Sequence, residues 1–148
     1  MRENAGQARG RRGRPPVRPD DETRRLVVEA AGREFRANGY AATSMAAVAA
    51  RAGVSTKTMY RLIPAKADLF RSVVSDRIGR FILEVDADTL DSLPPVEALE
   101  HILRAYGELT LAAETTAIIR LVLAEGHRFP ELAATFHEVA VLRTSEAI

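Results

Sequence analysis

The stretch from Met45 to Phe70 constrains the chain most. It opens with Met45-Ala46-Ala47-Val48-Ala49-Ala50-Arg51-Ala52 and turns at Gly53-Val54-Ser55. It continues as Thr56-Lys57-Thr58-Met59-Tyr60-Arg61-Leu62-Ile63-Pro64-Ala65-Lys66. Met45, Val48, Ala49 and Ala52 recur at the i, i+3, i+4, i+7 spacing of a helix with one apolar face. The alanines of its other face leave room for a neighbouring helix. Gly53 supplies the turn, Val54 fills the angle, and Ser55 is placed to cap a short second helix over 56–62. Pro64 ends that helix, because the residue before a proline is pushed out of helical geometry. Two helices joined by so tight a turn make a helix-turn-helix, whose second helix enters the DNA major groove. The stretch therefore implies double-stranded DNA as a partner as well as a fold.

A chain of 148 residues makes one domain or two small ones. It buries roughly two thirds of its unfolded surface, so an apolar core is within reach. The absence of cysteine excludes disulfides, thiolate zinc sites and a cysteine nucleophile. No apolar run approaches the roughly 18 residues of a membrane span. The arginine-rich start has no apolar segment after it and so is not a secretory signal. A cytoplasmic protein without a membrane partner is expected. The net charge of +1 conceals an asymmetry. Residues 1–70 hold 14 Lys/Arg and 7 Asp/Glu, whereas residues 71–148 hold 7 and 13. The basic half attracts phosphate and the acidic half is repelled by it, which gives the helix-turn-helix a docking direction.

Residues 1–20 are rich in Arg, Gly and Pro and are expected to form a disordered basic arm. Within it, Arg12-Gly13-Arg14-Pro15 has the form of an extended segment whose guanidinium groups enter a narrow A·T minor groove. Plain attraction to phosphate is the simpler reading of Arg12 and Arg14. A first helix is predicted over 23–38, capped by Asp20 or Asp21, with Val27, Val28, Ala31 and Phe35 as its apolar stripe. Asn38-Gly39 stops it, and Tyr40 packs back onto the stripe. The next helix, over 44–52, is capped by Thr43 or Ser44, and the one over 56–62 follows the turn. A fourth, long helix runs from Lys66 to about residue 86, and residues 89–95 form a linker. The fifth spans 96–111, with Leu99, Ile102, Leu103, Tyr106 and Leu109 on one face. The sixth spans 115–126, with Ile118, Leu121 and Val122 inward. A seventh starts near Glu131, with Leu132, Phe136, Val139 and Leu142 on one side. No alternating run signals a sheet, so the expected class is all-α.

The region from Phe35 to Phe70 resembles the DNA-binding domain of the TetR/AcrR family of transcriptional regulators. The matching elements are Gly39-Tyr40 closing the first helix, Thr43 entering the second, Ala52-Gly53-Val54-Ser55 at the turn, Tyr60, and Lys66 starting the fourth helix. Residues 23–70 carry the resemblance, and residues 120–132 are more weakly similar to the regulatory domain of some relatives. Leu62-Ile63 stands where the family usually has an aromatic or histidine followed by phenylalanine. After the compositional arm at 1–20, the resemblance implies a helix-turn-helix domain at 21–66 and a helical ligand-binding and dimerisation domain at 67–148. In the family two further helices complete the dimer interface, so the last part is expected to be incomplete and the homodimer correspondingly doubtful.

On helix geometry, Thr56, Lys57 and Thr58 are the candidate readers of bases, since only the first turn of so short a helix reaches them, with a phosphate contact the alternative for Lys57. Ser55 is a cap or a DNA contact. The resemblance implies that Thr43, Tyr60 and Lys66 clamp the DNA backbone, which sets register without reading sequence. It also implies a repressor that binds a pseudo-palindromic operator and is released by a small-molecule effector among helices four to seven. Phe81, Leu103, Tyr106, Ile118 and Val122 are candidate lining residues of that pocket, with plain core packing the commoner role of such residues, and Arg120 could meet an acidic effector or pair with Glu84 or Glu108. An enzyme is not expected. His101, His127 and His137 lack the two-His spacing of a helical zinc site, no glycine-rich phosphate loop is present, and neither a cofactor nor a metal is expected. The alternative to a repressor is a helical interaction module that associates with relatives through helices five to seven.

Overall fold

The computed structural model describes residues 18–147. Among them all regular structure is helical: α1 (Asp20–Ala42), α2 (Met45–Ala52), α3 (Thr56–Leu62), α4 (Lys66–Glu84), α5 (Ala87–Asp91), α6 (Pro95–Leu111), α7 (Ala113–Glu125) and α8 (Pro130–Thr135). A π-helical segment (Phe136–Leu142) and α9 (Arg143–Ala147) follow without a break. The all-α expectation holds. The basic arm with Arg12 and Arg14 lies outside the described residues.

α1 breaks where Asn38-Gly39 predicted. Gly39 has φ 77° and ψ 178°, a region that only glycine enters without strain. At the other end Pro19 is the cap residue and no side chain caps the helix. Asp20 and Asp21 lie inside the first turn instead, where the helix dipole favours their charge. In α2 the cap is Ser44, whose side chain accepts from the Ala47 amide. Thr43 is not a cap. The alanines Ala46, Ala47 and Ala50 are exposed, so they admit no neighbouring helix.

One core holds the described chain together. Val27, Ala31 and Phe35 of α1 meet Val48 of α2, Met59 of α3, Phe70 and Val74 of α4, Leu121 of α7, and Leu132 and Val139 beyond it. Full burial of a side chain such as Phe70 stabilises by about 1.5–3 kcal/mol. This cluster crosses residue 66 without interruption, so the helix-turn-helix segment (α1–α3) and the later helices share a core. A second, smaller cluster joins Phe81 and Val85 to Ala105 of α6.

Three sequence expectations give way here. Residues 89–95 are not simply a linker, because Asp86 caps the short α5. α6 turns Ala105 inward and leaves Leu99, Leu103 and Tyr106 exposed, so the apolar face read from its spacing points mainly outward. The last helix is not uniformly α-helical. Its buried positions Thr135, Val139 and Thr144 step by four and then five residues. The wider π turn explains the second step, and it carries Leu142 out of the interior.

Candidate nucleic-acid interface

Ser55 fixes the start of α3. Its hydroxyl accepts from the Thr58 amide at 3.0 Å and donates to the Thr58 hydroxyl at 3.0 Å. Both candidates are thereby committed to the cap. Thr56 and Lys57 stand exposed beside it. One turn on, Tyr60 is 52% exposed, and its hydroxyl has no hydrogen-bond partner among the described residues. Met59 and Leu62 anchor the opposite face in the core. The short helix thus presents a rigid outer row of Thr56, Lys57 and Tyr60.

The far end of α3 is tied to α1 by contacts that sequence reasoning missed. Arg61 makes a two-point bond to the Asp20 carboxylate, both contacts at 2.7 Å. The hydrogen bond from Arg61 holds the Asp20 carboxyl below the usual carboxylate range. Arg24 donates to the Leu62 carbonyl at 2.9 Å, satisfying an end of α3 that lacks a helical partner. Arg51 of α2 pairs with Glu34 of α1, whose carboxylate also accepts from Asn38. Opposite charge was visible in the sequence, but the 41-residue separation of Arg61 and Asp20 hides the pairing.

Two expected DNA clamps are placed otherwise. Thr43 is only 2% exposed, and its hydroxyl donates to the Gly39 carbonyl at 2.7 Å. That bond ties down the chain after the α1 break. Lys66 donates to the carbonyls of Tyr40 at 2.8 Å, Thr43 at 3.0 Å and Ala41 at 3.4 Å. Its ammonium also lies 4.6 Å from the centre of the Tyr40 ring. Three donors are thereby met by three carbonyls, so in this conformation Lys66 ties the start of α4 to the end of α1 rather than offering a free charge to phosphate.

The same turn is gripped from the regulatory side. Glu125, at the end of α7, accepts from the Tyr40 and Ala41 amides, each at 2.7 Å. Phe129 packs on the Tyr40 ring edge-to-face at 5.0 Å, and the Tyr40 hydroxyl donates to Glu131 at 3.4 Å. Burial, with the Glu131 charge beside it, pushes the Tyr40 phenol up to about 12. No local pattern marks Glu125 for this role, since its partners lie about 85 residues earlier.

The residues expected to line an effector pocket are not gathered into one cavity. Phe81 is sealed in the smaller cluster, with the Tyr106 ring 6.1 Å away on its outer side. Leu103 is 62% exposed and Tyr106 44%. Ile118 and Val122 pack against the main core. Arg120 is exposed and, among the described residues, pairs with neither Glu84 nor Glu108. Two grooves do exist. One of about 740 Å³ lies between α1, α4 and α7 and includes Ile118. The other, of about 570 Å³, lies between α1 and α7 and includes Arg120. Among the described residues no group of three or more His, Asp or Glu is arranged to hold a metal, and no helix is long and apolar enough to cross a membrane.

The comparisons agree with this arrangement at both ends of the chain. Residues 27–73 match the model for bacterial regulatory proteins of the tetR family. Residues 97–148 match that for the C-terminal domain of AefR-like transcriptional repressors. The HTH-type transcriptional repressor KstR of Mycobacterium tuberculosis (strain ATCC 25618 / H37Rv) is 26% identical over 113 residues, which are 76% of this chain and 50% of that protein. A Mesorhizobium loti MAFF303099 protein assigned to the TetR-family transcriptional regulators superposes with a TM-score of 0.71 at 25% identity, covering 88% of this chain and 66% of the other. The flavonoid-responsive regulator FrrA gives 0.63 at 32% identity, covering 80% and 60%. The chain thus spans about half the length of the curated relative it matches. With a capped α3 tied to α1, and family matches over residues 27–73 and 97–148, the chain belongs to the TetR family of bacterial regulatory proteins.

Proposed function

We propose that the chain is a transcriptional repressor that binds a pseudo-palindromic operator as a dimer, reading it with α3, and that a small-molecule effector releases it. The observation that carries this reading is the outer row of α3. Thr56, Lys57 and Tyr60 are exposed on a helix fixed at one end by Ser55 and at the other by Arg61 and Arg24. Lys57 is suited to guanine O6/N7 and the Thr56 methyl to thymine. Tyr60 sets register through its hydroxyl on a phosphate. Ser55 and Thr58 shape the cap, and the arm adds Arg12 and Arg14 along the flanks.

The repressor names of the relatives support the direction of regulation, and the flavonoid-responsive FrrA supports a small-molecule effector. The Glu125 contact supplies a route by which α7 acts on the reading head. Selection of binding sites from a random duplex pool, followed by titration at several salt concentrations, tests the reading. Enriched two-fold sites bound through Lys57 support it. Binding of all duplexes alike, or unaltered selection by Lys57→Ala, refutes it. Light scattering with and without the selected duplex tests the dimer.

A further inference from the structure

The groove between α1, α4 and α7 carries an arginine pair that is only partly used. Arg36 of α1 and Arg77 of α4 converge on one carboxylate, Glu114 of α7, at 3.3 and 2.6 Å. Arg77 reaches it through Nη2 alone. Its Nε is buried and has no hydrogen-bond partner among the described residues. Nε and Nη2 lie on the same side of a guanidinium and together form the fork that grips both oxygens of a carboxylate. Half of that fork is filled. Around it the groove is rich in charge, with five arginines facing four acids. Arg33 and Arg80 are neutralised within their own helices by Glu29 and Asp76. The floor is apolar, made by Val28, Phe35, Ile118 and Leu121. About 740 Å³ falls within the usual range for small-molecule sites.

We propose that this groove binds an amphipathic organic carboxylate. Its headgroup takes the Arg36–Arg77 pair from Glu114 and completes the fork at the Arg77 Nε, while its apolar body lies on the floor. Glu114 is the tethered stand-in for that headgroup, which identifies the ligand as a carboxylate rather than a neutral amphiphile. The site differs from the cavity expected among the regulatory helices, since one wall is α1 of the reading head. Binding here does not depend on the repressor reading, because it is measured without DNA.

The probe is decanoate, with decanol of equal chain length and acetate as controls, followed by calorimetry and by the methyl NMR signals of Val28 and Ile118. Decanoate is expected to shift both methyl signals and to bind at least roughly tenfold tighter than either control. Arg77→Met should lose roughly tenfold or more in decanoate affinity. Glu114→Gln, which removes the competing carboxylate, should gain about threefold or more. That gain cannot come from a failure to fold. Equal affinity for decanol, unmoved Val28 and Ile118 signals, or unchanged or weaker binding by Glu114→Gln would each overturn the proposal.

Discussion

Replacing Gly39 by alanine tests whether the regulatory helices hold the reading head through Glu125. An alanine at φ 77° and ψ 178° is strained by about 1–3 kcal/mol. Its Cβ would also lie 2.5 Å from Glu125 Oε1, so the carboxylate must leave the two amides it binds. Those charge-assisted bonds, at a half-exposed site, are worth about 2 kcal/mol together. Gly39→Ala should therefore cost about 4 kcal/mol, of which about 2 is strain. Glu125→Ala alone should cost about 2 kcal/mol. In the double variant the carboxylate is already gone, so only strain is added. The pair should then cost about 4 kcal/mol rather than the additive 6, a coupling of about 2. Urea unfolding of the four proteins, followed by circular dichroism with slopes checked for a two-state transition, measures each value. Costs that add to within about 0.5 kcal/mol would show that Gly39 and Glu125 act independently.

Lys66→Met should destabilise the fold by about 2–3 kcal/mol, since three carbonyls lose a charged donor. It should leave the salt dependence of DNA binding unchanged, and a slope flatter by about one would restore Lys66 as a phosphate clamp. Tyr60→Phe should behave in the opposite way, with unchanged unfolding and DNA affinity lower by about 0.5–1.5 kcal/mol on every sequence. Equal affinity in filter-binding titrations would remove Tyr60 from the interface. Tyr40, raised to about 12 when folded, keeps its proton longer in the folded than in the unfolded chain. Its contribution is therefore intact below about pH 10 and is lost as pH rises towards 12. Stability measured across that interval should fall less steeply in Tyr40→Phe, and parallel curves would refute the assignment.

Local chemistry made the reading head legible. Ser55, Gly53 and Pro64 each act within three or four residues of their position, so the ends of α3 follow from the sequence, as does the glycine break in α1. Long-range charge was not legible. Nothing near Lys66 indicates that its ammonium turns back to Tyr40, Ala41 and Thr43, and a basic residue at a helix start reads equally well as a phosphate contact. The direction of α6 was missed for a related reason. Leu99, Leu103 and Tyr106 share a face by periodicity, but periodicity does not say which face the rest of the fold covers. The π turn after Thr135 leaves no mark in residue type, because Phe136 to Leu142 would serve an α-helix equally well.

The peptide group between Tyr40 and Ala41 is held at both ends by opposite charge. Its carbonyl receives Lys66 at 2.8 Å and its amide reaches Glu125 at 2.7 Å. The two charges polarise this amide in the same sense, so each strengthens the bond made by the other. Glu125 and Lys66 are in effect an ion pair that acts through a peptide plane instead of by contact. A rotation of that single plane, with every side chain left in its rotamer, would break both of these bonds at once, leaving Lys66 on the Thr43 carbonyl and Glu125 on the Tyr40 amide. A backbone crankshaft at Tyr40 and Ala41 is therefore a small motion that loosens α7 and the start of α4 together, beside the one residue of the turn whose conformation already requires glycine.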